Sequence, residues 1–264
     1  GRKIIWIFLY VFISGFFILN NKPEEQIEEN VSGNEIKEEW KQVIDSSFES
    51  VDCPSIERNL NSSYYQGKLI DTHIHISPIP DDLNGDFEGE NPIMGVNTKI
   101  TDYVCMMDYE NTSRVFAFFP VWEPIPEFLE VVNRTMTLYP DRFVPFIMPP
   151  DNDDSPEGYP TVDSKKLQEM LSYYPGMFKG YGEIGLYERG DHGGPKGAPE
   201  LPPDSQRLTE IYPIIRENNF VVYFHLGEGQ KESFERVLEQ NPDINFIWHG
   251  DQLIQCESCS QTLE

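Results

Sequence analysis

The sequence predicts an α/β chain in which residues 68–264 form a (β/α)8 barrel, incomplete at the C-terminus with about six of eight units present. Three observations carry this. Short unbroken apolar runs alternate with amphipathic stretches of helical length, the signature of a parallel sheet covered by helices. The turn after the first run, Ser77-Pro-Ile-Pro-Asp-Asp, offers no glycine-rich phosphate cradle of the kind an open doubly wound sheet presents. Finally, four of the five histidines end an apolar run, and in a parallel barrel all those ends open on one face.

Taken in order, the chain begins Gly-Arg-Lys and then runs uncharged from Ile4 to Leu19. Residues 1–21 read as a signal peptide or N-terminal membrane anchor, and the absence of a small-x-small cleavage site favours the anchor. Arg2 and Lys3 before the apolar run place the N-terminus in the cytoplasm and the body outside it, so an exported protein is expected, membrane-anchored or periplasmic/extracellular. Residues 22–67 hold 11 acids against 4 bases and read as an acidic linker or stalk, interrupted by a helix from Glu35 to Phe48 with Ile36, Trp40, Val43 and Ile44 on one side.

Beyond Gly67 the expected strands are Lys68 to Ile76, Arg114 to Val121, Arg142 to Met148, Phe178 to Ile184, Phe220 to His225 and Ile244 to His249. Helices are expected at Pro126 to Tyr139, Ser164 to Tyr174, Ser205 to Asn218 and Lys231 to Gln240. Asp163 and Asp204 stand where N-caps belong, and Pro140, Pro175 and Pro242 follow helix ends. Six units fill 197 residues, whereas a whole barrel takes about 250.

The first strand ends Asp71-Thr-His73-Ile-His75. Side chains two apart on a strand share a face, about 6.6 Å from Cα to Cα, so both imidazoles can reach one metal ion. His225 closes the fifth strand and His249 the sixth. On the fourth strand, Phe178-Lys-Gly-Tyr-Gly-Glu-Ile-Gly-Leu, alternation puts Lys179, Tyr181 and Glu183 on one side, with Glu183 about 13 Å nearer the functional end than Lys179. Glu183 is therefore expected in the site and Lys179 outside it. The glycines at 180, 182 and 185 suggest close approach of a ligand or metal.

This ordered set resembles the amidohydrolase superfamily of metal-dependent, TIM-barrel hydrolases: His-x-His on strand one, an acid or lysine on strand four, and single histidines on strands five and six. The matches are His73 and His75, Glu183, His225 and His249. The amidohydrolase-related branch, which includes non-oxidative decarboxylases, is the most similar, and Gly182-Glu-Ile-Gly-Leu is also like the TatD-type deoxyribonucleases. The resemblance implies that His73, His75, Glu183, His225 and His249 bind one or two divalent ions, zinc first and manganese or iron as alternatives, with Glu183 and His249 also serving the chemistry. It also implies an aspartate on strand eight. None is present, since Asp251 belongs to the sixth-strand loop, and together with the missing initiator Met this leads to the expectation of a gene fragment truncated at both ends, inactive or unable to close its barrel.

The function these readings imply is hydrolysis of an amide, ester or lactone-type small molecule by a metal-activated water. Non-oxidative decarboxylation of an aromatic acid on the same site, or a membrane-tethered relict barrel acting as a binding protein, are the alternatives. Phosphodiester cleavage fits poorly: the net charge is −25, of which −20 lies on residues 68–264, and a polyanion would meet a repulsive field. No nucleic-acid partner is expected. The loops Ser77 to Asn97 and Gly185 to Pro203 are long enough to shape a substrate pocket, and His192 within the second is a contact candidate. Four cysteines, at 53, 105, 256 and 259, suit an oxidising compartment, although a domain this size does not require disulfides, and Cys256-Glu-Ser-Cys259 alone is weak evidence for zinc or redox work.

Overall fold

A computed structural model of the chain describes residues 36, 38–53, 67–76, 90–91, 95–96, 98–153, 155–188 and 199–249. The chain divides into two compact units, Gly1–Gly33 and Asn34–Glu264, and every described residue belongs to the second. The apolar run of residues 4–19, His192, Asp251 and the Cys256/Cys259 pair lie outside the described residues. Among the described residues no helix is long and apolar enough to cross a membrane.

Helix α1 spans Glu38–Ser46 and is followed by strand β1, Leu69–His75. A two-residue antiparallel pair, β2 (Glu90–Asn91) and β3 (Gly95–Val96), precedes α2, Ile100–Tyr109. Strand and helix then alternate: β4 Thr112–Pro120, α3 Pro126–Leu138, β5 Phe143–Met148, α4 Ser164–Tyr173, β6 Gly180–Gly185, α5 Gln206–Glu217, β7 Val221–His225, α6 Lys231–Gln240 and β8 Asn245–Trp248. All six expected strands and all four expected barrel helices are present within two residues of their expected ends.

The main sheet has the order β1-β4-β5-β6-β7-β8, and each neighbouring pair is parallel. This sheet is curled. β4 and β7 are three steps apart in that order, about 14 Å in a flat sheet, yet the rings of Phe118 and Tyr223 lie 5.0 Å apart. Period-two alternation then sorts the strand residues into two layers. Val115, Ala117, Phe119, Ile147, Val222 and Phe224 face the helices, where they join Leu129, Val132, Leu167, Ile211 and Ile215 in the main core. Phe118, Phe146 and Tyr223, flanked by Phe116, Val144, Met148, Val221 and Ile247, fill the inside of the curl. The described residues are thus six strands of a barrel-type α/β fold.

Several local features explain the helix boundaries. Asp163 caps α4 as expected, its carboxylate accepting from the backbone N–H groups of Lys165 and Lys166 at 2.9 and 3.3 Å. At α5 the expectation is corrected: Ser205, not Asp204, is the N-cap, accepting from Leu208 N at 3.4 Å. Asp204 turns instead to α6, where Ser233 Oγ and Arg236 Nε donate to it, because a charged partner outcompetes a neutral cap.

The helix within residues 22–67 is docked rather than suspended in a linker. Trp40 and Ile44 of α1 are buried in the main core, Trp40 packs edge to face on Phe128 at 6.3 Å, and Arg134 of α3 pairs with Asp45 and covers the Phe48 ring. Segment 47–53 then runs along α2, to which it is joined by a disulfide between Cys53 and Cys105.

Candidate metal centre

His73 and His75 leave the end of β1 on the inner face, and Ile74 between them packs outward into the main core. Inner parity on β7 carries Val221, Tyr223 and then His225, while on β8 it carries Ile247 and then His249 just beyond the strand. Four imidazoles therefore meet at one mouth of the curl, above the aromatic layer. The Phe118 ring lies 5.1 Å from His73, and Tyr223 lies 5.6 and 5.7 Å from His73 and His249. This floor closes the site from below, so a small molecule would enter from the strand ends.

Glu183 reaches the same point by a different route from the expected one. Tyr181 faces the helices, fully buried, with its hydroxyl accepting from Val162 N at 2.8 Å, and Ile184 faces the helices as well. Two outward residues three positions apart require an irregularity, and the β6–β7 register shifts between Tyr181 and Ile184. Gly182 absorbs it with φ of 134°, a conformation L side chains rarely adopt. The bulge turns Glu183 inward, so Tyr181 and Glu183 do not share a side, and strict alternation was the wrong rule here. Lys179 is exposed and donates to Gly176 O at 2.7 Å, outside the site as expected.

The glycines serve the protein's own packing. A Cβ on Gly180 would fall 2.1 Å from the Phe146 ring, and one on Gly182 would fall 2.4 Å from the Tyr223 carbonyl oxygen. Close approach of ligand or metal, expected from the sequence, is not what these two positions accommodate.

Around Glu183 the donors form two groups that share its carboxylate. Oε2 is 2.8 Å from His73 Nε2 and 3.0 Å from His75 Nε2. Oε1 is in direct contact with His225 Nε2 and 3.5 Å from His249 Nδ1. His73 Nδ1 and His249 Nε2, 3.1 Å apart, link the groups. On a flat sheet β1 and β8 would be about 24 Å apart, so the curl assembles this constellation. Within each group the candidate ligand atoms lie within 4.8 Å of one another. His75 stands at the rim with 35% of its side chain exposed, whereas Glu183 and His225 are at 12% and 9%.

Burial alone would raise the Glu183 pKa. The hydrogen bonds from His73 and His75 and the charges of His225 and His73 outweigh it and hold the carboxyl far below the usual range. The donor chemistry fits a divalent ion: imidazole nitrogens and a carboxylate suit Zn²⁺ and comparable metals.

Other contacts that the sequence reading missed lie around this group. Met148 Sδ is 3.2 Å from His75 Nδ1, the Asp71 carboxylate accepts from His73 N at 2.9 Å, and Tyr103 Oη donates to the His75 carbonyl at 2.9 Å. Inner parity on β5 and β7 was the signal for Met148 and Tyr223; nothing in the sequence marked Tyr103.

No protein-family model and no curated protein sequence matches the chain. Among solved structures it is similar to a probable 2-pyrone-4,6-dicarboxylic acid hydrolase from Acinetobacter baumannii with citric acid bound, at 14% identity over 68% of this chain and a TM-score of 0.39. The chain spans 56% of that hydrolase's length. It is also similar to a 2,6-dihydroxybenzoate decarboxylase in complex with 2,6-dihydroxybenzoate and to the decarboxylase of that name from Rhizobium. Identity is 15% to each, with 70% of this chain and 67% of theirs covered and TM-scores of 0.37 and 0.38.

Proposed function

We propose that the chain carries the site of a metal-dependent hydrolase acting on an amide, ester or lactone bond of a small molecule. The observation that carries the reading is Glu183, half-buried and with its pKa held low, with a different pair of histidines on each of its oxygens. His73, His75, Glu183 and His225 would hold one or two divalent ions, zinc first and manganese or iron as alternatives. When bound, such an ion supplies Lewis acidity toward a carbonyl and an activated water at neutral pH.

The protein's own groups do the rest. Glu183, held toward its anionic form by the surrounding imidazoles, would offset the charge of a bound cation. His249, 24% exposed, stands between both groups and can complete the ligand set or donate to a developing oxyanion. Phe118 and Tyr223 keep water from reaching the centre from below. Glu183 is the one carboxylate in either group among the described residues.

Support for an exported location comes from Cys53–Cys105, since such a disulfide persists in an oxidising compartment, with residues 1–21 as targeting segment or anchor. The acidic surface supports a small-molecule rather than a nucleic-acid partner.

The test is elemental analysis of the purified protein followed by a substrate panel. Wild type should hold a divalent metal, and His73→Ala/His75→Ala should hold almost none. Full metal content in the double variant would end the reading. Metal-loaded protein should then hydrolyse lactones, amides or esters; release of CO₂ from carboxylated aromatics without hydrolysis would replace hydrolysis by decarboxylation.

A further inference from the structure

We infer that α2 is a clamp on the metal centre: Tyr103 is a positioning residue that sets where β1 presents His75, and Cys53–Cys105 holds α2 where Tyr103 can do so. The inference rests on the metal-binding role proposed for His75.

The backbone pattern shows why β1 needs such a clamp. His75 pairs with Phe118, and the next residue, Ile76, donates to Phe118 O at 3.0 Å. In a parallel ladder, the residue between two bonded neighbours turns its own N–H and C=O away from the partner strand. The His75 carbonyl thus faces away from β4. β1 stands at the end of the sheet order, with no strand on that other side among the described residues. Tyr103 Oη supplies a hydrogen bond there, at 2.9 Å, from a residue only 6% exposed. His75 is also the last residue of β1, and among the described residues this bond and the Ile76–Phe118 bond hold the main chain at the strand end from which the imidazole projects.

The helix carrying Tyr103 is itself gripped on both sides of that residue. Ahead of it, Ile100 N donates to Ser47 O at 2.9 Å, Thr101 Oγ1 donates to Glu49 O at 2.8 Å, and Lys99 Nζ meets Glu49 Oε2 at 2.6 Å. Two residues after it, Cys105 is bonded covalently to Cys53. Segment 47–53 therefore fixes the height of α2 against the sheet, α2 fixes Tyr103, and Tyr103 fixes the His75 main chain. Metal-ligand distances tolerate only about ±0.2 Å, so a small slip of α2 is felt at His75.

The test uses cobalt(II) as the probe, because its visible absorption reports on ligand geometry independently of activity. Wild type, Tyr103→Phe, Cys53→Ser/Cys105→Ser and Ser113→Ala are titrated with cobalt, and the fold of each is checked by far-UV circular dichroism at the same temperature. Ser113 is the control, because its hydroxyl donates to Leu69 O at 2.8 Å at the opposite end of β1. Tyr103→Phe should weaken cobalt binding about 10-fold, the usual scale for a residue that orients a ligand, and shift the visible band. The cysteine double variant should move both in the same direction, and Ser113→Ala should move neither. If the cysteine variant does not fold, Tyr103→Phe decides alone. Wild-type affinity and spectrum in Tyr103→Phe would overturn the clamp while leaving the metal site standing; a wild type that takes up no cobalt would overturn both.

Discussion

Replacing both cysteines of the Cys53–Cys105 bond by serine tests how firmly the N-terminal segment belongs to the barrel. The bond closes a loop with a sequence separation of 52, which includes β1 and the first half of α2. For a loop of that size the chain-entropy expression gives about 14 cal/mol/K, or roughly 4 kcal/mol at 25 °C, lost when the unfolded chain is freed. At two Cα positions only 5.3 Å apart, serine fills the space without displacing backbone, so the native-state contribution is small beside the entropic one. For a domain of about 200 residues each kcal/mol moves Tm by about 2–4 °C, so a drop of about 8–16 °C is expected. Urea denaturation followed by tryptophan fluorescence measures the free energy directly, with Cys256 and Cys259 present in both proteins. A change below about 0.5 kcal/mol, the scale of an ordinary surface substitution, would show that the unfolded chain gains nothing from release, and would refute the reasoning.

Two further outcomes follow from single sites. Gly182→Ala should cost more than Gly176→Ala: both glycines have positive φ, 134° and 76°, but only at 182 does the new Cβ meet backbone, 2.4 Å from Tyr223 O. The conformational cost is about 1–3 kcal/mol at either position, with the clash added at 182, and equal urea midpoints for the two variants would contradict the bulge geometry. Acid stability should depend on Asp204 and Asp163. Asp204 is lowered chiefly by the Ser233 hydroxyl, with Arg236 assisting; at Asp163 burial pushes upward but the Lys165 and Lys166 amides and Arg207 prevail. Both carboxyls are depressed in the folded state, so the unfolded chain binds protons first on acidification. Their contribution is full well above the ordinary value of 3.8 and is lost as pH falls through the lower folded values. Asp163→Asn/Asp204→Asn should therefore lose less stability than wild type between about pH 5 and pH 2, and parallel pH profiles of the urea midpoint would exclude this.

What was legible in the sequence follows from the period of each element. The strands β4, β5, β7 and β8 are mostly apolar runs and the helices α3 to α6 are amphipathic with caps or prolines at their ends, so their limits could be read directly. α2 could not, because its buried residues include Thr101, Tyr103, Cys105 and Met107, a spacing of two that conceals the helical period. The same period-two rule that correctly paired His73 with His75 misplaced Tyr181 relative to Glu183. Alternation holds only while the ladder is regular, and a glycine-bracketed carboxylate in a strand can mark the irregularity itself. Long-range partners such as Tyr103 for His75, or Arg236 for Asp204, left no local trace, since each depends on how two distant elements come to pack.

The Glu183 bulge also connects curvature to chemistry. A bulge bends its strand and strengthens the local twist as it re-aims a side chain, and β6 lies between β5 and β7 in the sheet. Its irregularity therefore falls where the sheet must bend if β1 and β8 are to approach each other. His73 and His249 are five strand steps apart in that order but 3.1 Å apart in space, so sheet closure and site assembly are one geometric event. The phenylalanine and tyrosine rings packed inside the curl stabilise the closed form without any metal, whereas the four imidazoles converging on one carboxylate oppose it unless a cation or protons intervene. A divalent ion bound here would thus favour the curl as well as the reaction, and metal should raise the unfolding temperature of wild type in proportion to RT ln(1 + [M]/Kd). The same titration of His73→Ala/His75→Ala should leave it unmoved, and an equal rise in both proteins would place the metal elsewhere than at the mouth of the curl.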